Sequence, residues 1–261
     1  MRIRWCFLAA LLFLLTACAT APGRPPGAVS ELGRDDASRL VRIVEEKNDK
    51  IKPYKAIGQI SIHGKQGSLD GRAAWIAVPD GRFRVEALAV TGQPFARMIC
   101  TKDECFFIYR DGDCLRTQSA GDNSLDLLSG IKLNARDMAL LLGGGAALTD
   151  HSSAGAYATD SGQKVLVFKK RLIGTVQTIR FSEDLEHILE VRVFGWRGLL
   201  YRAEIKRLER VGSRMMPFEL DISDKSGNRI SVSVDRCWTD IEPEKRAFFP
   251  DLPEGAGCGR Q

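Results

Sequence analysis

The hydrophobic period of this chain changes several times along its length. Leu40, Val41, Ile43, Val44 and Ile51 recur at helical spacing behind Asp35 and Asp36, either of which can cap a helix that Pro53 stops by about Ile51. From Tyr54 the period falls to two: Ala56, Gly58, Ile60 and Ile62 alternate with polar or small residues, and Phe83, Val85 and Ala87 alternate with Arg82, Arg84 and Glu86. Between them lies a run over 73–78 that ends at the Pro79-Asp80-Gly81 turn. Runs over 95–101, 105–110 and 113–118 follow, the last two joined by the hairpin signal Asp111-Gly112. The alternation then breaks. Leu125, Leu127, Leu128 and Ile131, then Met138, Leu140, Leu141 and Leu142, fit two short helices that end at Gly143-Gly144-Gly145. After a loop of small residues, strand patterns return over 164–169, 174–181, 188–194, 200–208, 218–223 and 229–238. Helices only at the start and in the middle of a long strand series predict a mainly β, α+β chain. We expect a single antiparallel, strongly curved, unclosed β-barrel of about eleven strands with a helical lid over its concave face.

The first residues follow a different logic. Arg2 and Arg4 precede an apolar run from Trp5 to Leu15. A bilayer-spanning helix needs roughly 20 such residues, so the run reads as an export signal. Leu15-Thr16-Ala17-Cys18 resembles the lipobox of bacterial lipoproteins, which implies cleavage after residue 17 and acylation of Cys18; a signal cut at a small-residue site, with Cys18 incidental, is the alternative. Several acyl chains would make the anchor durable. Ala19, which is not Asp, favours the outer membrane by analogy with enteric sorting. The expected organisation is a signal peptide at 1–17, a Pro- and Gly-rich tether at 18–34, one domain at 35–240 and a tail at 241–261.

The composition narrows the function. With 38 basic and 33 acidic residues the net charge is +5, and loss of Arg2 and Arg4 with the signal lowers it to +3. That is too mild for a dedicated nucleic-acid binder. The three histidines, His63, His151 and His187, lie in unrelated segments, which argues against a histidine-rich metal centre. No GxSxG, HExxH, P-loop or GxGxxG motif occurs, so no catalytic residue, metal or cofactor is assigned.

Three stretches are similar to the LolA/LolB-type lipoprotein family. They are Phe83-Arg84-Val85-Glu86-Ala87-Leu88 with Gly92-Gln93-Pro94; Leu127-Leu128-Ser129-Gly130, Leu133-Asn134 and Leu140-Leu141-Leu142-Gly143; and Phe218-Glu219-Leu220 through Gly227-Asn228-Arg229-Ile230. The cysteines and the tail depart from that pattern. The resemblance, which is closer to the LolB branch, implies a half-barrel whose helices lid a hydrophobic cavity for acyl chains. By parity the inward candidates are Ile60, Ile62, Phe83, Val85, Leu189, Val191, Ile205, Leu220, Ile222, Val232 and Val234, with Leu128, Leu140 and Leu141 on the lid. The same residues would serve equally to fill a solid core. The resemblance also implies an apolar membrane-contact loop at Leu88 and Val90, with Val90 the better candidate and Leu88 ending the strand; a buried strand end is the alternative.

With Cys6 removed and Cys18 acylated, five cysteines remain. Cys100 and Cys105 bracket a hairpin loop and are candidates for a disulfide across it, whereas zinc or redox chemistry would favour paired CxxC units. Arg192, Arg197, Arg202, Lys206, Arg207 and Arg210 alternate with apolar residues, as on a solvated sheet face or a patch for headgroups or an acidic partner. Together these features describe a monomeric, lipid-anchored outer-membrane protein facing the periplasm. It would bind acyl chains or lipidated proteins, receive them from a periplasmic carrier protein, and use neither nucleic acid nor catalysis. The alternatives are a structural or assembly lipoprotein that docks protein partners and, less favoured, an envelope hydrolase.

Overall fold

The computed structural model describes residues 28–64, 67–101, 104–109, 114–117, 125–250 and 259–260, with the side chains of 115–117, 127–128 and 259–260 excepted. The signal segment, Cys18, the Asp111-Gly112 turn and Cys258 lie outside these residues, as does the side chain of Leu128.

Strand β1 (Ala28–Glu31) precedes helix α1 (Arg34–Lys50). Strands β2 (Tyr54–Gly64), β3 (Gly67–Ala77), β4 (Phe83–Leu88), β5 (Pro94–Cys100), β6 (Cys105–Tyr109) and β7 (Cys114–Thr117) form a run of hairpins. Two short helices follow, α2 (Asp126–Ser129) and α3 (Ala135–Leu142). A second run comprises β8 (Ser153–Thr159), β9 (Lys164–Lys170), β10 (Gly174–Phe181), β11 (Ile188–Gly195), β12 (Gly198–Val211), β13 (Arg214–Ser223) and β14 (Arg229–Thr239). A 3-10 turn at Lys245–Phe248 and β15 (Gly259–Arg260) close the chain. The fifteen strands among the described residues belong to one sheet in the order β1-β8-β9-β10-β11-β12-β13-β14-β2-β3-β4-β5-β6-β7-β15. β14 joins the two runs by pairing with β2 over its length, from Arg229 opposite His63 to Thr239 opposite Tyr54. β1 and β15 do not pair with each other, so the barrel stays open.

The sheet has fifteen strands where about eleven were expected, and the additions have physical reasons. β8, Ser-Ala-Gly-Ala-Tyr-Ala-Thr, carries too few large side chains to show an alternation, yet its backbone pairs with β9 over six positions. β1 and β15 are edge strands whose pairing is made by backbone hydrogen bonds, which leave no hydrophobic signature. Residues 28–31, which fall within the segment expected as a tether, are part of the sheet. Phe248 is buried with Val78, Ile99, Phe106 and Ile108 in a small second core on the convex face, and Arg84 donates to the Ala247 carbonyl at 2.9 Å. β5 and β6 are therefore covered on both faces.

One inward side chain moved. A register shift between Arg180 and Phe181 sets Phe181 opposite Ile188 and Arg180 opposite Glu190. The bulge residue between them is Leu189, which leaves the core, while Ile188 enters it at 1% exposure.

The middle of the concave face is filled by α3, in which Ala135 and the Met138–Leu142 run are buried and Arg136 stays exposed. Asn134 caps it by accepting from the Asp137 N–H at 2.7 Å. The Tyr54 hydroxyl donates to the Ala139 carbonyl at 2.7 Å. Beyond the helix, the Asn48 amide donates to the Ala146 carbonyl (2.8 Å) and accepts from its N–H (3.1 Å). The fully buried Gln177 does the same for Ala147 (2.7 Å) and Thr149 (2.9 Å). The glycine run that ends α3 is a packing device: Gly144 adopts φ +82°, a conformation costly for other residues.

Replacing Asn48 with Ala leaves the Ala146 N–H and C=O without partners in a half-buried site. We expect a loss of about 1–3 kcal/mol in urea denaturation, with an unchanged m-value.

Candidate functional site: an apolar groove beneath one end of the sheet

The registers of β2 to β6 align their inward residues in rows. One row runs Ala56–Trp75–Val85–Met98–Phe107, bulky after its first position. The next row toward the β4–β5 turn runs Gly58–Ala73–Ala87–Ala96–Tyr109, small at four consecutive strands. Gly58 cannot be larger, since a Cβ there would lie 2.1 Å from the Ser233 carbonyl oxygen on β14. Where four small side chains stand side by side the sheet surface is hollow. The result is a cavity of about 350 Å³ lined mainly by apolar groups, including Ile60, Ile62, Leu69, Ala87, Met98 and Phe107. That volume is at the small end of ligand sites, which span roughly 300–1,000 Å³. Arg72 and Arg97 stand at its rim, paired with Asp235 (3.7 Å) and Glu86 (3.2 Å). Beneath the small row, the indole N–H of Trp75 is buried without a hydrogen-bond acceptor among the described residues.

Ile60, Ile62 and Val85 lie along this hollow. Phe83, Leu140, Leu141, Val191, Ile205, Leu220, Ile222, Val232 and Val234 instead belong to the continuous packed core around α1 and α3, each 7% exposed or less. Leu189 belongs to neither. The groove residues that parity reasoning passed over are small or lie near strand ends: Gly71, Ala73, Ala87 and Ala96, with Leu69 and Tyr109. Their signal was four small inward positions on adjacent strands, visible only once the registers were known.

The groove opens beside the turn between β4 and β5. Ala89 N–H donates to Gln93 O and Gly92 N–H to Ala89 O, each at 2.8 Å, which holds the turn closed. Val90 at its tip is fully exposed, while Leu88 ends β4 half-buried. Cys100 and Cys105 face each other on β5 and β6 and are joined by a disulfide (Cα–Cα 4.1 Å). Cys114 is also disulfide-bonded. Cys237 is a free thiol whose pKa burial pushes up to about 11, so it stays protonated and unreactive near neutrality.

Other polar assemblies are structural. The basic residues of β11 and β12 form a lattice on the convex face: Arg192 and Arg202 flank the buried carboxylate of Glu190, and Lys206 and Arg207 meet Asp221 and Glu219. Three ligand atoms of Asp184, Glu186 and His187 lie within 4.8 Å of one another at the β10–β11 turn, but Asp184 is already engaged by the Ser182 hydroxyl and the Glu186 N–H. A larger cleft of about 670 Å³ at the opposite end of the sheet has Lys47, Lys50, Lys52, Arg210 and Arg214 along it and is a charged surface.

No protein-family model and no curated protein sequence matches the chain. Solved structures do. The chain is similar to a domain described as an outer membrane lipoprotein-sorting protein from Vibrio parahaemolyticus, at 9% identity and TM-score 0.56, over 81% of this chain and 97% of that one. It is similar to a LolA superfamily protein from Nitrosomonas europaea at 12% identity and TM-score 0.51, over 82% and 98%. A DUF1329 family protein from Desulfovibrio piger matches at 11% identity and TM-score 0.55, over 83% and 97%. The chain thus has the LolA/LolB-like fold: an unclosed, strongly curved antiparallel sheet with helices on its concave face.

Opposite the groove mouth, Asp137 accepts from the buried Tyr201 hydroxyl at 3.1 Å, and burial raises its carboxyl pKa despite opposing help from Tyr201 and Arg136. The folded chain therefore holds this proton more tightly than the unfolded one. Its stabilising effect is complete below the ordinary aspartate value and disappears as pH climbs through the raised one. The stability advantage of Asp137→Asn over the native chain should widen from pH 4 to pH 7 in denaturant titrations; equal slopes would refute the assignment.

Proposed function

We propose that the chain is a lipid-anchored envelope protein, tethered through Cys18 to the outer membrane, that takes an acyl chain of a lipoprotein or related amphiphile into the β2–β6 groove. The observation that carries this reading is the row of Ala73, Ala87 and Ala96, which leaves an apolar hollow open at one end instead of a filled core. Burial of an acyl chain there is favourable by the hydrophobic effect alone, at roughly 25 cal/mol per Å² of apolar surface, so no nucleotide is needed. At about 350 Å³ the hollow suits one chain rather than several. Val90 would touch the bilayer beside the mouth and guide the chain between membrane and groove. A periplasmic carrier is the fitting donor. The likeness to a lipoprotein-sorting domain and a LolA superfamily protein supports this reading through the fold.

Native mass spectrometry of the full chain purified without detergent should find bound lipid. Binding of cis-parinaric acid should fall at least tenfold in Ala87→Phe, which fills the hollow from an inward position, while the thermal midpoint stays within a few degrees. Undiminished probe binding would refute the groove. A chain that carries no lipid but a stoichiometric protein partner would favour the structural-lipoprotein alternative.

Val90→Glu should weaken association with liposomes without unfolding the chain. An unchanged liposome pull-down would remove Val90 from the contact.

A further inference from the structure

The groove leaves a second feature of the same end of the sheet unexplained. Pairing sets Ser223 opposite Arg229 and Arg229 opposite His63, which carries the β13–β14 turn to the β2–β3 end, and Gly195 of β11 opposite Gly198 of β12. Lys225 in the β13–β14 turn donates to the Arg197 carbonyl at 2.8 Å. The β9–β10, β11–β12, β13–β14 and β4–β5 turns therefore all stand at the end where the groove opens.

Two of these turns, remote from β4–β5 in the sheet order, display large apolar side chains to water. Leu172 is 95% exposed and Ile173 42% at the β9–β10 turn; Trp196 is 83% exposed at the β11–β12 turn. Leu172 is held at φ +73°, a strained conformation for leucine, with Ile173 N–H bonded to Lys170 O. Around them the chain reads Lys169-Lys170-Arg171-Leu172-Ile173 and Trp196-Arg197, with no acidic residue in either turn; of these bases, Lys170 is paired with Asp150 at 2.6 Å. Singly exposed apolar residues are commonplace. Leu, Ile and Trp on hairpin tips, each tip carrying an exposed arginine, are the composition that seats in a membrane–water interface.

We propose that the β9–β10 and β11–β12 turns are a docking edge for a bilayer bearing anionic headgroups. Leu172, Ile173 and Trp196 enter the headgroup layer, and Arg171 and Arg197 pair with lipid phosphates. With Val90 on the opposite arm of the sheet, this edge sets the groove mouth against the lipid. The inference goes beyond the carrier reading and rests on different residues.

Tryptophan quenching by lipids brominated on their acyl chains tests it with the full chain. The contribution of Trp196, taken as the difference between native chain and Trp196→Phe, should lose at least half its intensity on vesicles of phosphatidylcholine and phosphatidylglycerol. It should keep that intensity on pure phosphatidylcholine, and on either vesicle in the Arg171→Glu, Arg197→Glu double variant. Leu172→Ser should reduce the quenching. Trp196 intensity that is unchanged on anionic vesicles overturns the proposal, and so does equal quenching on both vesicle types; protection by an acidic protein without quenching would point to a protein partner instead. Uptake of cis-parinaric acid should stay at the native level in all these variants, so failure of the groove and failure of the docking edge are read separately.

Discussion

Everything in this protein follows from the need to cover the concave face of one long sheet with very little helix. α3 has eight residues and rises about 12 Å, whereas an 11-residue strand such as β2 runs about 36 Å. The helix packs against β13 and β4, α2 against β2, and α1 against β8 and β9. A plug this short fills the middle of the concavity and leaves the end toward the β4–β5 turn bare. Its position is set by polar groups, not by its apolar face alone: Tyr54, Asn48 and Gln177 satisfy backbone atoms in and beyond the helix that burial would otherwise orphan. The groove and the packed core are thus two outcomes of one constraint.

Charge is arranged to match. On the convex face, acids and bases cancel in a lattice centred on Glu190, whose ionisation burial opposes but hydrogen bonds from Arg192 and Arg202 restore with a margin. Asp221 is similar: Lys206, Ser231 and Arg229 outweigh its burial and bring its carboxyl down to about 2. Leu172, Ile173 and Trp196 stand exposed beside Arg171 and Arg197 at turns on the same end as the groove mouth, while Lys50, Lys52 and Arg210 line the cleft at the other end. Among the described residues, Cys100 and Cys105 are joined across a hairpin, Cys114 is also disulfide-bonded, and burial pushes the Cys237 thiol up to about 11.

Much of the fold was legible in the sequence because period-two alternation reports which face of a strand is buried. The inward parity of Phe83, Val85, Val191, Leu220 and Val232 follows from it directly. It failed at Leu189, where a bulge adds one residue and inverts the parity behind it, and at β8, whose small residues hide an alternation that the backbone nonetheless obeys. β1 and β15 were illegible for another reason, since an edge strand is recruited by an unpaired neighbour and not by its own side chains. Of the candidate site, Ile60, Ile62 and Val85 could be read in advance. Ala73, Ala87 and Ala96 could not, because a hollow is defined by what four strands lack at one level.

The sequence by itself determined that this chain is a mainly antiparallel sheet with few helices, that Phe83 through Leu88 is a strand facing a core, and that Cys100 and Cys105 stand across a hairpin. Those properties are local, set by alternation, turn chemistry and spacing within a few residues. Only the tertiary structure decided which inward residues meet a helix and which meet empty space, that residues 28–31 and 259–260 join the sheet, and which exposed side chains share the end with the mouth. Those depend on register between strands up to 185 residues apart, such as Thr239 opposite Tyr54, and on the reach of an eight-residue helix. Register and reach are relations between segments, and no segment carries them alone.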